Sequence, residues 1–220
     1  MHVGGDEVPA DCWQSNPQVT KWMKEQSPPL TSFADLETLY EQKLLDILKD
    51  QGTSYMVWQE IFDNGAKIAK DTVIDVWKGG NWQEEMEKVT SAGFHTVLSA
   101  PFYLNYISYG DDWKKYYETE PSNFTGGEAA TAAGLVGGVE ACFWSEFIDA
   151  TNFIARAWPR TMSIGERGWS SKETRDTDDA FARFHEWRCK IISRGINAEP
   201  LEAGTHCPKE FTPNYVTPWE

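Results

Sequence analysis

Four short runs of β-forming apolar residues, separated by stretches with helical periodicity, constrain the fold of this chain more than any other feature. They are Tyr55-Met56-Val57-Trp58, Thr72-Val73-Ile74-Asp75-Val76-Trp77, His95-Thr96-Val97-Leu98-Ser99-Ala100 and Gly138-Val139-Glu140-Ala141-Cys142-Phe143-Trp144. Each is nearly continuous in apolar character, the pattern of a strand buried on both faces. Such strands need helices above and below, and the sequence supplies them. From Thr31 to Asp50, Leu36, Tyr40, Leu44, Ile47 and Leu48 recur at helical spacing, Ser32 and Asp35 offer a capping box, and Gly52 lies just past the end. Asn81 to Ala92 predicts a second helix, and Thr151 to Trp169 another, broken by Pro159. Asp178 to Ser193 places Phe181, Phe184, Trp187 and Ile191 on one face and ends at Gly195. The alternation predicts an α/β fold with a parallel sheet, either a barrel or an open sheet. Val3 to Val8 reads as a strand end entering a loop, and Pro9 halts regular structure there. The tail from Asn197 holds four of the 11 prolines and reads as irregular.

Composition narrows the partners. With 220 residues, 40% hydrophobic, the chain suffices for one core and one domain. Its formal net charge of -14 makes nucleic acid and anionic lipid poor partners, because like charges repel. No run of 18 apolar residues is present, so no membrane span is expected. The cysteines, Cys12, Cys142, Cys189 and Cys207, show neither a C-x-x-C pair nor zinc spacing, and no metal is expected. No leader-like segment precedes the strand end at His2-Val3, yet Asn123-Phe124-Thr125 is a glycosylation sequon, which has meaning in a secreted protein.

The strand ends share a chemistry. Trp58-Gln59-Glu60, Trp77-Lys78, Tyr103-Leu104-Asn105 and Trp144-Ser145-Glu146 each couple an aromatic to a polar group at or just after a predicted strand, and Asp6-Glu7 occupies the equivalent place in the first unit. In parallel α/β folds the loops after the strands converge on the ligand. Indole faces suit the C–H surfaces of sugar rings, and the chain has 11 tryptophans. Cleaving a glycosidic bond needs a proton for the leaving oxygen and stabilisation of a cationic transition state. Adjacent carboxylates can supply both, their repulsion and apolar surroundings raising one pKa. Taken alone, Asp-Glu pairs are common surface charges, and Trp58 and Trp77 read equally well as core.

The string His2-Val3-Gly4-Gly5-Asp6-Glu7-Val8 resembles the signature of glycoside hydrolase family 20, the β-N-acetylhexosaminidases. The resemblance continues in order through Val57-Trp58-Gln59-Glu60, Val76-Trp77-Lys78, Ser99 to Asn105, Ile107 to Gly110, Glu140 to Glu146, Trp158-Pro159-Arg160 and Gly165 to Ser171. It covers nearly the whole chain and is nearest the animal lysosomal or secreted type. It implies that the chain is the C-terminal part of a (β/α)8 catalytic barrel, with the earlier half of the barrel and an N-terminal domain lying outside it. It implies exo-hydrolysis of terminal β-linked GlcNAc or GalNAc from glycoconjugates or chitooligosaccharides, without cofactor. The mechanism is substrate-assisted and retaining: the substrate's acetamido oxygen attacks C1, outside the two-carboxylate scheme.

Matched to the family, Glu7 is the general acid and then the base for water. Asp6 orients the acetamido N–H, and Tyr103 donates to the acetamido oxygen. Trp58, Trp77 and Trp144 wall the sugar, and Asn105 and Glu146 bind hydroxyls. Tyr109 resembles a tyrosine that reaches a partner's pocket in a homo- or heterodimer. Tyr106 stands where an arginine accompanies acceptance of sulfated sugars, so anionic substrates are not expected. Cys189 and Cys207 are implied to pair, Cys12 is left without its family partner, and Cys142 reads as a buried thiol. Arg160, Glu166 and Arg167 read as structural ion pairs, and His2 as a structural hydrogen-bonder. The chain by itself is expected to be inactive and aggregation-prone. The competing readings are a non-catalytic sugar-binding protein, which needs neither Asp6 nor Glu7, and an inactive fragment of the family.

Overall fold

The structure, a computed structural model, describes residues 1–108 and 110–208. It divides into two compact units, residues 1–98 with 124–137, and residues 99–123 with 138 onward.

The first unit opens with residues 1–4 laid beside the first strand. His2 bridges Met56 in parallel, and Val3 N–H donates to the Met56 carbonyl at 3.0 Å. Three helices follow, α1 (Ala10–Gln14), α2 (Pro17–Lys24) and α3 (Phe33–Asp50). Pro9 is therefore less a stop than the residue before a helix, and Pro17 opens the next at N1, where its missing N–H has no intrahelical use. The capping box at α3 is formed: Asp35 N–H donates to Ser32 Oγ, and Ser32 N–H to the Asp35 carboxylate. Gly52 at φ +64 closes the helix in the left-handed conformation, with Thr53 N–H donating to the Leu48 carbonyl at 3.0 Å.

The helical face of α3 differs from expectation. Glu41, Leu45 and Leu48 are buried, while Tyr40 and Ile47 are exposed. The packing stripe runs one residue away from the apolar one, because Glu41 is the side chain turned toward Gly5.

Then come β1 (Met56–Trp58), α4 (Gln59–Asp63), β2 (Val73–Val76), α5 (Trp82–Ser91) and β3 (His95–Leu98). β1 pairs β2 and β2 pairs β3, both parallel, with Val57 opposite Ile74 and Asp75 opposite Val97. Val57, Ile74, Val76, Met86, Val89 and Leu98 are fully buried. At about 1.5–3 kcal/mol for each large apolar side chain, this layer is the main stabilisation of the unit.

In chain order α6 (Trp113–Glu118) belongs to the second unit, and α7 (Gly127–Ala132) returns to the first and touches α5. β4 (Val136–Val139) completes the order β1-β2-β3-β4, Thr96 N–H donating to the Leu135 carbonyl at 2.8 Å. This fourth strand begins two residues earlier than expected and ends by Val139. Gly138, at φ +136, departs from extended geometry, and beyond it Cys142 makes a single bridge to Tyr103. A run of β-formers that carries two glycines makes a short strand followed by an irregular one.

The second unit holds α6, α8 (Phe153–Ala157), α9 (Arg160–Trp169) and α10 (Thr177–Ile192). Its core joins Trp113, Tyr117, Ala180, Phe184 and Leu201. On α10, Phe184 and Ile191 are buried as expected, but Trp187 is 40% exposed and lies at the margin of that face. Residues 193–208 form no helix or strand, yet Leu201 is fully buried and its carbonyl accepts from Trp113 Nε1 at 3.2 Å. The Cys189–Cys207 disulfide is formed. Arg160 pairs with Asp112 at 2.8 Å and Glu199 at 2.5 Å, Glu166 with Arg183, and Arg167 with Glu120 at 3.5 Å.

Candidate active site

In the first unit the motif Gly4-Gly5-Asp6-Glu7 leaves the end of the strand-like segment in an unusual backbone. Gly4 and Gly5 have φ of +77 and +99, and Glu7, which has a side chain, sits at φ +44. An L-residue held there costs of order 1–3 kcal/mol, and such strain persists only where the surroundings impose it. Gly5 shows why the motif needs glycine. A Cβ there would lie 2.4 Å from Ile61 Cδ1 and Cγ1, so the loop rests directly on α4. A Cβ at Gly4 would be 3.9 Å from Asp6 Oδ1 and 4.0 Å from Trp58 Cδ1, so carboxylate and indole flank the same stretch of backbone. Glu7 is exposed and Asp6 half-buried.

Around this loop the aromatic residues are ordered. His2 Nδ1 accepts the Gly4 N–H at 3.1 Å, and its ring lies 4.5 Å from the Trp58 ring. Accepting at Nδ1 leaves the proton on Nε2, which faces the fully buried Asp75 carboxylate at 3.9 Å. His2 is thus a hydrogen-bonding brace for the loop. Trp58 meets Trp77 edge-on at 6.1 Å. Trp77 Nε1–H donates to Glu60 Oε2 at 2.7 Å, and Lys78 Nζ lies 3.1 Å from Glu60 Oε1. An apolar groove of about 480 Å³ in this unit, lined by Trp13, Val19, Trp22, Leu36 and Tyr40 among others, contains none of these residues.

In the second unit Tyr103 is 5% exposed. It bridges Cys142 in parallel, with Leu104 N–H donating to the Cys142 carbonyl at 2.8 Å and Cys142 N–H to the Phe102 carbonyl at 3.1 Å. Burial, and next the Cys142 thiol beside it, hold the Tyr103 hydroxyl far above the usual phenol range, so it remains a neutral donor. The Tyr106 ring stacks on Tyr103 at 5.2 Å. Asn105 Nδ2 donates to Glu146 Oε2 at 3.2 Å, and the buried Asn105 Oδ1 accepts no hydrogen bond among the described residues. Trp144 and Glu146 are exposed, and Glu146 lies outside any helix. Arg156 braces the loop from beneath, donating to the carbonyls of Leu104 at 3.1 Å and Ser108 at 3.1 Å and to that of Tyr106. Asn123 is exposed in a turn, and Cys12 is exposed on α1 and outside any disulfide among the described residues. Tyr109 lies outside the described residues.

The sequence names the motif residues and His2 as a structural hydrogen-bonder, but not the other groups packed around them. Asp75 carried a signal, as the one charge in an apolar strand. Gln59, whose Oε1 accepts from the backbone N–H of Trp77 at 3.2 Å and Lys78 at 3.0 Å, carried none.

Parallel strands alternating with helices, with carboxylates and indoles on the loops after the strands, define an α/β protein. The family model of the glycosyl hydrolase family 20 catalytic domain matches residues 1–172, and the chain belongs to that family. It is 48% identical over 210 residues to the β-hexosaminidase subunit beta of Homo sapiens, covering 96% of this chain and 37% of that protein. It is 46% identical to the subunit alpha of Rattus norvegicus, over 96% of this chain and 40% of that one. The chain therefore spans about two fifths of the length of these relatives. Among solved structures it resembles a chitobiase of Flavobacterium johnsoniae, with TM-score 0.72 and 28% identity over 89% of this chain and 29% of that one. It also resembles the fold of an exo-β-N-acetylglucosaminidase of Vibrio harveyi, with TM-score 0.75 and 24% identity over 91% of this chain and 33% of that one. The parallel strands and helices are those of a (β/α)8 barrel family, as expected. No helix of the described residues is long and apolar enough to cross a membrane.

Proposed function

We propose that the full-length product containing this chain hydrolyses terminal β-linked N-acetylhexosamine from glycan substrates, by a substrate-assisted mechanism that retains configuration. The observation that carries the reading is the glycine-supported loop in which Glu7 sits at φ +44 and the Asp6 carboxylate and Trp58 indole flank the backbone at Gly4. Strain of that kind in a loop at a strand end is a mark of function rather than of packing. Family membership and the names of the β-hexosaminidase relatives point the same way.

In this reading Glu7 protonates the leaving oxygen and then deprotonates the attacking water. Asp6 accepts the acetamido N–H and offsets the positive charge that develops as the acetamido oxygen closes on C1. Tyr103 donates to that oxygen. A phenol whose ionisation is suppressed by burial keeps its proton for this bond across the working pH range. Asn105 Oδ1 accepts from a sugar hydroxyl, and Glu146, already anchored by Asn105, accepts from another. Trp58, Trp77 and Trp144 present apolar faces to the pyranose ring.

The reading extends to the rest of the protein. Residues 1–220 are one part of the catalytic domain, working with polypeptide beyond it, and the chain alone has no steady turnover. The parent is lysosomal or secreted, glycosylated at Asn123, and dimeric.

The test is Glu7→Gln in the full-length product, measured on an alkyl GlcNAc glycoside, whose poor leaving group needs the proton. Losing a general acid costs about 10²- to 10⁴-fold. A loss of that size with retained inhibitor binding supports the enzyme. Unchanged turnover rejects the assignment of Glu7, whereas a full-length product that binds the sugar without turnover leaves the sugar-binding alternative.

A further inference from the structure

Trp77 is held on several sides by residues with no direct part in the reaction just described. Its indole N–H, the ring's sole donor, points into the carboxylate of Glu60 at 2.7 Å. That distance is at the short end of the N–H···O range, where a charged acceptor makes the bond strongest. Glu60 is 8% exposed, on the first turn of α4, immediately after β1, whereas Trp77 follows β2. A carboxylate is costly to bury without a partner. Lys78 answers it at 3.1 Å and places the same ammonium 5.7 Å from the centre of the Trp77 ring. Beneath, Gln59 Oε1 takes the backbone N–H groups of Trp77 and Lys78, fixing the chain from which the indole projects.

We propose that Glu60 is a positioning residue for Trp77, setting the rotation of the indole so that its face meets the sugar. This rests on the reading of Trp77 as a wall of the sugar site. The bond joins side chains from two successive strand ends, so it fixes the spacing of those loops as well as the ring angle. Without it the indole loses a directional restraint on its two side-chain torsions. Misplacement of about 1 Å in a site that works by orientation costs up to about 10²-fold.

The experiment is a double-mutant cycle in the full-length product with a chromogenic GlcNAc glycoside. Glu60→Leu is expected to lower kcat/KM about 10- to 100-fold, up to the cost of a misplacement of about 1 Å. Glu60→Gln, which retains an acceptor oxygen, should recover most of it. Trp77→Phe keeps a ring but removes the donor, so adding Glu60→Leu to it should cost less than about 3-fold more. If Trp77→Phe alone leaves kcat/KM unchanged, the wall assignment itself is wrong. If it lowers kcat/KM but Glu60→Leu costs the same in both backgrounds, the positioning role is overturned and the wall stands. Should Glu60→Leu fail to fold, the indole proton resonance of Trp77, assigned by its loss in Trp77→Phe, decides. It moves upfield in Glu60→Gln if the charged carboxylate is its acceptor, and an unmoved resonance rejects the proposal.

Discussion

Replacing Gly5 by alanine should be among the most damaging small changes in the chain, and two separable effects make it so. The first is backbone strain: φ of +99 is a region L-residues rarely enter, costing about 1–3 kcal/mol. The second is overlap: the new methyl would lie 2.4 Å from two carbons of Ile61, itself 2% exposed and unable to withdraw into solvent. Overpacking of that kind costs about 1–3 kcal/mol, for a total of about 2–6 kcal/mol. Gly4→Ala is the control, because its Cβ meets nothing closer than 3.9 Å and it should lose only the cost of the left-handed backbone, about 1–2 kcal/mol. Urea unfolding followed by far-ultraviolet circular dichroism measures both. The overlap is isolated by Ile61→Ala, which alone costs about 2–5 kcal/mol but in the Gly5→Ala background should cost about 1–3 kcal/mol less. Additive effects would refute the steric argument, and a Gly5→Ala protein within about 0.5 kcal/mol of the parent would refute both.

Three further outcomes follow from the structure. Burial, with Glu37 nearby, raises the pKa of Glu41 above an ordinary 4.5, so the folded chain holds that proton more tightly than the unfolded chain does. Stability contributed by neutral Glu41 is then lost as pH rises from the unfolded value through the raised folded one, and Glu41→Gln should flatten the fall in Tm as the pH is raised above the ordinary carboxylate range. Arg160→Met leaves the 7% exposed Asp112 side chain short of its main cation and should cost about 3–5 kcal/mol in chemical unfolding. Reducing or replacing Cys189–Cys207, a bridge across 18 residues, should cost about 3 kcal/mol, measured as a lower unfolding midpoint with a somewhat steeper slope because the unfolded chain is less compact without it.

The sequence announced those features that depend on local pattern. The capping box at Ser32 and Asp35, the parallel alternation and the break at Pro159 are written in neighbouring residues, and all three are present. Short helices such as α1, α4 and α7 escaped, because five or six residues are too few for a periodic signal. The exposed Tyr40 and buried Glu41 shifted the expected face of α3 by one residue, since which stripe is buried depends on what lies across it. The candidate site showed the same division. Asp6, Glu7 and the tryptophans stood out as motif residues, whereas the brace from His2 to Asp75 and the hold of Glu60 on Trp77 join residues 73 and 17 positions apart, which no local pattern reveals.

The central claim is that Glu7 delivers a proton to the departing oxygen, and leaving-group dependence tests it most directly. A leaving group already acidic needs no proton, so the kcat/KM of Glu7→Gln, which is set before water attacks, should be crippled on an alkyl GlcNAc glycoside and far less affected on a dinitrophenyl one, while that of Asp6→Asn should be impaired on both. Equal loss for Glu7→Gln on the two substrates would contradict the account.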